Sequence, residues 1–204
     1  MIKLWYAPLT RSIRVLWLLE ELAVPYELER VEFEVPSSRF FAQDTPTGKL
    51  PTIEDGGLVL CESGAIVEYL VERYGEGRLA PPPGTPERGH YLQWIHMAES
   101  TVFPPVGILV WLSRYRTDGD EYAALQESTR ARAEAGVQFV ENELSSRQYL
   151  LGDDFSAADV MMGFSLVAAR FVDVIDDRYP AVQAYLSRLE QRPAYREAVK
   201  IGGG

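Results

Sequence analysis

Ile2, Leu4 and Tyr6 alternate with Lys3 and Trp5, a period of two that predicts a strand. From Ser12 to Ala23 the pattern changes to a helical one. Ile13, Val15, Leu16, Trp17, Leu18, Leu19 and Leu22 cover most of the circumference, so this helix is expected to be largely buried, with Arg14, Glu20 and Glu21 left for solvent. Tyr26 and Leu28 alternate with Glu27 and Glu29 as a second strand, and Ser37 to Asp44 reads as a short, irregular helix. Thr52 to Glu54 and Leu58 to Cys61 flank an Asp55-Gly56-Gly57 turn as a hairpin. Ile66, Val67, Tyr69 and Leu70 then recur at helical spacing between Ser63 and Tyr74, and Gly75 closes that helix. The order is β-α-β-α-β-β-α.

The stretch Gly75 to Gly89, GEGRLAPPPGTPERG, breaks all periodicity and reads as a linker. Beyond it no strand pattern recurs. His90 to Tyr115, Glu121 to Leu144, Ala157 to Val172, Ala181 to Gln191 and Ala194 to Val199 carry helical spacing, interrupted by Pro104-Pro105, Asp118-Gly119, Gly152, Pro180 and Pro193. Ser156 stands three residues before Asp159 ahead of an apolar run, the signature of a capping box. The fold class expected is α/β followed by all-α: a first domain at 1–78, a linker at 79–88 and an all-helical domain at 89–204. No internal repeat is present.

Composition narrows the function. A chain of 204 residues, 47% hydrophobic and 11% aromatic, folds without staples. Its one cysteine, Cys61, rules out an intrachain disulfide and a multi-cysteine zinc site, and points to a reducing, cytoplasmic setting. A net charge of −10 and a pI near 4.8 argue against nucleic acid as a partner. No signal-peptide pattern and no run of eighteen apolar residues stands out, so the membrane is not an expected partner. His90 and His96 lack the i,i+4 spacing of a metal pair, so no metal is expected. Neither a G-x-S-x-G elbow nor a G-x-G-x-x-G fingerprint occurs.

The chemistry concentrates between Thr47 and Gly64, TGKLPTIEDGGLVLCESG. Proline is tolerated at a strand's first residue, and a cis Leu50-Pro51 bond would turn the Leu50 main chain toward a ligand. A helix opening at Glu62-Ser63 presents N–H groups without intrahelical partners and a partial positive charge, a seat for a carboxylate. Together these would hold a small anionic peptide. Cys61 lies within a strand pattern and reads as structural rather than nucleophilic.

With the proline-rich linker, the helical second half and its capping box, these motifs resemble the cytosolic glutathione transferases across essentially the whole chain. The segment Ala7 to Glu27, APLTRSIRVLWLLEELAVPYE, looks like the opening of bacterial and fungal serine/threonine-type members. The resemblance implies a thioredoxin-like first domain, glutathione as co-substrate, a hydrophobic electrophile as second substrate, a detoxification role and a homodimer through Ser63 to Tyr74 and His90 to Thr101. It assigns the γ-glutamyl group to Glu62 and Ser63, the cysteinyl unit to the Leu50 main chain shaped by Pro51, and the glycyl end to Lys49 or Gln43.

For the thiolate stabiliser the resemblance offers three side chains: Thr10 first, in the loop before the first helix, then Ser12, whose other role is capping that helix, then Tyr6, where tyrosine-type relatives keep a phenol. A free thiol titrates near ~8.5, and a hydroxyl donor with a helix N-terminus lowers this by one or two units, worth roughly 1.4 to 2.7 kcal/mol. Arg11 stands about where other bacterial members carry a cysteine, which excludes a mixed disulfide through that residue. The electrophile pocket is expected between the domains, walled by Leu9, Phe103, Pro104, Ile108, Trp111 and Tyr115. Two functions follow: thiolate attack on an electrophilic carbon or a hydroperoxide oxygen, or a noncatalytic binding or scaffold module on the same fold.

Overall fold

The computed structural model describes residues 1–31, 45–115 and 119–202. The expected helix at Ser37 to Asp44 and the candidate Gln43 lie outside the described residues.

The first unit comprises Met1–Leu79 together with Gln191–Gly204. Its sheet has the order β2-β1-β3-β4, built from β1 (Ile2–Tyr6), β2 (Tyr26–Arg30), β3 (Thr52–Asp55) and β4 (Leu58–Cys61). β1 runs parallel to β2 and antiparallel to β3, so Leu4 stands between Leu28 and Ile53. The parallel pair needs a crossover, and α1 (Ser12–Leu22) supplies it. α1 ends at Ala23 in the left-handed region. α2 (Ser63–Tyr74) follows β4 directly. Leu4, Leu16, Leu19, Ile53, Ile66, Val67 and Leu70 are wholly buried and form the core of sheet and helices. Burying each such side chain is worth roughly 1.5–3 kcal/mol.

Two expectations about this unit are corrected. Arg14 does not face solvent: it is fully buried on α1. The C-terminal helix α8 (Pro193–Gly202), expected within the helical domain at 89–204, packs instead on α1 in the first unit. Arg192 donates to both carboxylate oxygens of Glu21, at 2.6 and 2.8 Å, and Tyr195 meets Trp17 edge-on. Both anchors lie on residues far apart in the chain, which local periodicity does not register.

The second unit, Ala80–Glu190, is helical: α3 (Pro86–Met97), α4 (Phe103–Tyr115), α5 (Ala123–Leu144), α6 (Ala157–Phe171) and α7 (Pro180–Glu190). α3 starts with Pro86 as its first helical residue and Thr85 as its cap, whose side chain accepts the Arg88 N–H. The expected interruption at Pro104-Pro105 is absent. Neither proline can donate to the preceding turn, and a π-turn over Ala98–Val102 carries the helix across. The Phe103 N–H and the Ser165 hydroxyl both donate to the Ala98 carbonyl. The continuous stretch Pro86–Tyr115 therefore has the length of a membrane span, and an 18-residue window within it has a mean hydropathy of 1.3. Its Tyr91, Trp94, Ile95, Ala98, Val102, Val106, Leu109 and Leu112 are buried within this unit, so that hydropathy reflects core packing.

The capping box at the start of α6 forms as expected. Asp159 accepts from the N–H and hydroxyl of Ser156, the Leu150 N–H and the Tyr185 hydroxyl, all within 3.0 Å. Burial pushes its carboxyl upward against those four donors.

Candidate functional site

Thr10 stands half-buried one residue before the N-cap of α1. Its Oγ1 lies 2.7 Å from the Ala7 carbonyl oxygen and 2.9 Å from Ser12 Oγ, and it accepts the Ser12 N–H at 3.3 Å. The N-cap residue Arg11 makes no side-chain cap bond, the Ser12 N–H at the first helical position is taken by Thr10 Oγ1, and Ser12 is fully buried. Leu9, immediately before, is 67% exposed and has φ 58. A leucine gains nothing from the left-handed region, which costs it about 1–2 kcal/mol.

Tyr6 is not brought to this group. Its ring is 1% exposed, and a Cβ on Gly202 of α8 would lie 2.2 Å from its hydroxyl oxygen. Burial raises the phenol above its usual range, the nearby Arg30 opposing weakly. A phenol that is harder to ionise and covered by a helix is poorly suited to meet a sulfur.

The Leu50–Pro51 peptide is cis. Pro51 is buried, Leu50 half-buried and Lys49 exposed. The Lys49 carbonyl accepts the Thr52 hydroxyl at 3.1 Å, while no hydrogen bond among the described residues uses the Leu50 N–H or C=O. Thr52 pairs in register with Trp5 on one side and Cys61 on the other, which brings Cys61, Glu62 and Ser63 to the same end of the sheet.

Glu62 is exposed and caps α2 with φ 72 and ψ 111, a strained backbone for a residue with a side chain. The first bond of the helix runs from the Ile66 N–H to the Glu62 carbonyl at 2.9 Å, so the N–H groups of Ser63, Gly64 and Ala65 precede the ladder. Ser63 itself is 4% exposed. Sequence reasoning missed its partner: the buried Arg14 donates from Nη1 to Ser63 Oγ at 3.1 Å. One signal was available. Arg14 is flanked on its helix face by Trp17 and Leu18, and a charged side chain on a helix that is apolar all round has to be satisfied inside.

In the second unit Phe103, Pro104, Ile108, Trp111 and Tyr115 share one side of α4, where Ile108, Trp111 and Tyr115 are 37%, 43% and 37% exposed. Phe164 of α6, not anticipated from the sequence, stacks on Phe103 with centroids 5.5 Å apart. The Phe103 ring also lies over Gly107, where a Cβ would approach Cε1 to 2.9 Å. Among the described residues no cluster of three His, Cys, Asp or Glu side chains could hold a metal ion.

A four-stranded mixed sheet with an anion-ready helix start, joined to a helical second unit, defines a thioredoxin-like protein of the transferase architecture. Residues 1–72 match the N-terminal domain model of the glutathione S-transferases and residues 122–188 the C-terminal domain model. Glutathione S-transferase GstB of Escherichia coli is 30% identical over 98% of this chain and 99% of its own. Glutathione S-transferase 3 of Schizosaccharomyces pombe is 29% identical over 98% and 87%. Among solved structures, a glutathione transferase of Methylococcus capsulatus superimposes with a TM-score of 0.87 at 28% identity, covering 100% of this chain and 99% of its own. One from Pseudomonas fluorescens, solved with two glutathione bound, gives 0.85 at 25% identity over 97% and 92%. The chain belongs to the glutathione S-transferase family, and its activity is that of a glutathione transferase.

Proposed function

We propose that the first unit holds glutathione by main chain and helix dipole and that Thr10 keeps its sulfur ionised for attack on a hydrophobic electrophile. The γ-glutamyl carboxylate sits at Ser63 and the first turn of α2, its amine on the Glu62 carboxylate. The cysteinyl unit pairs with the Leu50 main chain beside Pro51, and Lys49 reaches the glycyl carboxylate. The observation that carries this reading is that Arg14 joins the first turns of α1 and α2, so the hydroxyl pair and the anion seat belong to one rigid group.

The thiol proton leaves to solvent, with no side-chain base required. Thr10 then turns its O–H from the Ala7 carbonyl and Ser12 Oγ to the sulfur, while the Ser12 N–H donates to Thr10 Oγ1. The thiolate forms the new S–C bond, and the leaving group departs with its electron pair. Proximity and the lowered thiol pKa supply the catalysis. The apolar side of α4, with Ile108, Trp111 and Tyr115 exposed, suits a hydrophobic electrophile.

A homodimer and a cytoplasmic, detoxifying role complete the proposal. Leu58 and Val59, each 43% exposed on the edge strand β4, are apolar surface that a second copy would cover. Calorimetry with glutathione tests the binding reading: a saturable, one-per-chain isotherm supports it, and an absence of heat at millimolar glutathione favours a noncatalytic module. Solution mass at micromolar concentration tests the dimer.

A further inference from the structure

We propose that Arg14 is a positioning residue that fixes the polarity of Ser63, making the start of α2 selective for a carboxylate over the corresponding amide. The proposal rests on the reading that the γ-glutamyl group binds at Ser63. A serine hydroxyl has one proton and two lone pairs and ordinarily rotates to donate or accept as its neighbour requires. A guanidinium can only donate. With Arg14 Nη1 at 3.1 Å, Ser63 Oγ is obliged to accept on that side, and its own proton is directed elsewhere.

The other groups at this helix start are donors too, because the N–H groups of Ser63, Gly64 and Ala65 precede the helical ladder. Ser63 therefore presents an O–H among N–H groups, backed by a buried positive charge. A carboxylate, which only accepts, satisfies all of them. A carboxamide brings its NH₂ against a donor and leaves one of the two unpaired. Both Arg14 and Ser63 are buried, 0% and 4% exposed, so water does not readily relieve that mismatch. Arg14 acts on the anion through Ser63, to which its Nη1 donates.

The test is calorimetric titration of the full chain with glutathione and with its analogue carrying a carboxamide at the γ-glutamyl α-carboxylate. Wild type is expected to prefer glutathione by roughly a hundredfold. Arg14→Gln, whose side chain both donates and accepts, narrows that preference to about tenfold and raises KM for glutathione with kcat within about twofold. Arg14→Lys, again a pure donor, retains most of the preference, which keeps the test alive if the glutamine variant fails to fold. Combining Arg14→Gln with Ser63→Ala adds no further loss of preference beyond Ser63→Ala alone. An unchanged preference in folded Arg14→Gln, a collapse of preference in Arg14→Lys, or fully additive losses in the double variant each overturns the proposal. Wild type that fails to bind glutathione at all overturns instead the functional reading beneath it.

Discussion

Thr10 Oγ1 and Ser12 Oγ lie 2.9 Å apart at the start of α1, one half-buried and the other sealed from solvent. On the proposed reading the half-buried hydroxyl of Thr10 meets the sulfur and Ser12 supports it. Thr10→Ala is expected to lower kcat/KM about tenfold to a hundredfold and to move the alkaline shift of the pH–rate profile upward by about one unit. Thr10→Ser keeps most of the activity. Ser12→Ala, which removes the hydroxyl bonded to Thr10 Oγ1 but keeps the backbone N–H that donates to it, costs a few-fold. Steady-state kinetics across pH checks all three, and a Ser12 effect larger than that of Thr10 would reverse the assignment.

Tyr6 is 1% exposed and packed against Gly202, and on the proposed reading Tyr6→Phe leaves the pH profile unmoved. Gly202→Ala puts a methyl group 2.2 Å from the Tyr6 hydroxyl oxygen and 3.0 Å from its ring. Overpacking of this kind costs roughly 1–3 kcal/mol. Adding Tyr6→Phe removes the nearest atom and should restore part of the loss. Chemical denaturation of the two single variants and the double variant measures this.

Asp55, the last residue of β3, accepts the Tyr74 and Tyr69 hydroxyls at 2.6 and 2.7 Å and pairs with Arg73 at 3.2 Å. The Tyr74 bond above all, then the Tyr69 bond and Arg73, holds its carboxyl below the usual range against partial burial. The sign follows from linkage: the unfolded chain takes up this proton first as pH falls. The stabilisation is therefore complete above the ordinary carboxylate value near ~4 and is lost as pH drops through the lower folded value. Asp55→Asn should flatten that part of the acid limb in denaturation curves between about pH 5 and pH 2, with little change in shape at neutral pH.

The capping box is a structural device with a large single-site dependence. Asp159→Ala orphans four buried donors and is expected to cost about 3–5 kcal/mol, whereas Ser156→Ala costs about 1–2 kcal/mol. Thermal melts report both. Near-equal effects would mean that Asp159 matters only as a partner of Ser156.

Much of the fold was legible because its signals are local. The alternation at Ile2 to Tyr6, the Asp55-Gly56-Gly57 turn and the Ser156–Asp159 spacing each specify geometry within a few residues, and each forms. What escaped depends on distant partners. Arg14 looked solvent-facing on its own helix, since its partner Ser63 is 49 positions away. α8 carries a plain helical pattern, and contacts such as Arg192 on Glu21, Tyr195 on Trp17 and Gly202 beside Tyr6 place it with the first unit. The Gly202 contact also buries Tyr6 at the end of β1, the place where tyrosine-type relatives keep a phenol. At Pro104-Pro105 the missing N–H groups were read as a break, and the π-turn that absorbs them has no sequence signature beyond the prolines themselves.

The central claim, that glutathione is held in the first unit as a thiolate, is tested most directly by titrating the ultraviolet thiolate absorbance of the enzyme–glutathione complex against pH. The account predicts a midpoint one to two units below the free thiol's ~8.5, moving back toward that value in Thr10→Ala. A bound thiol that titrates at the free value in the wild-type protein would contradict it.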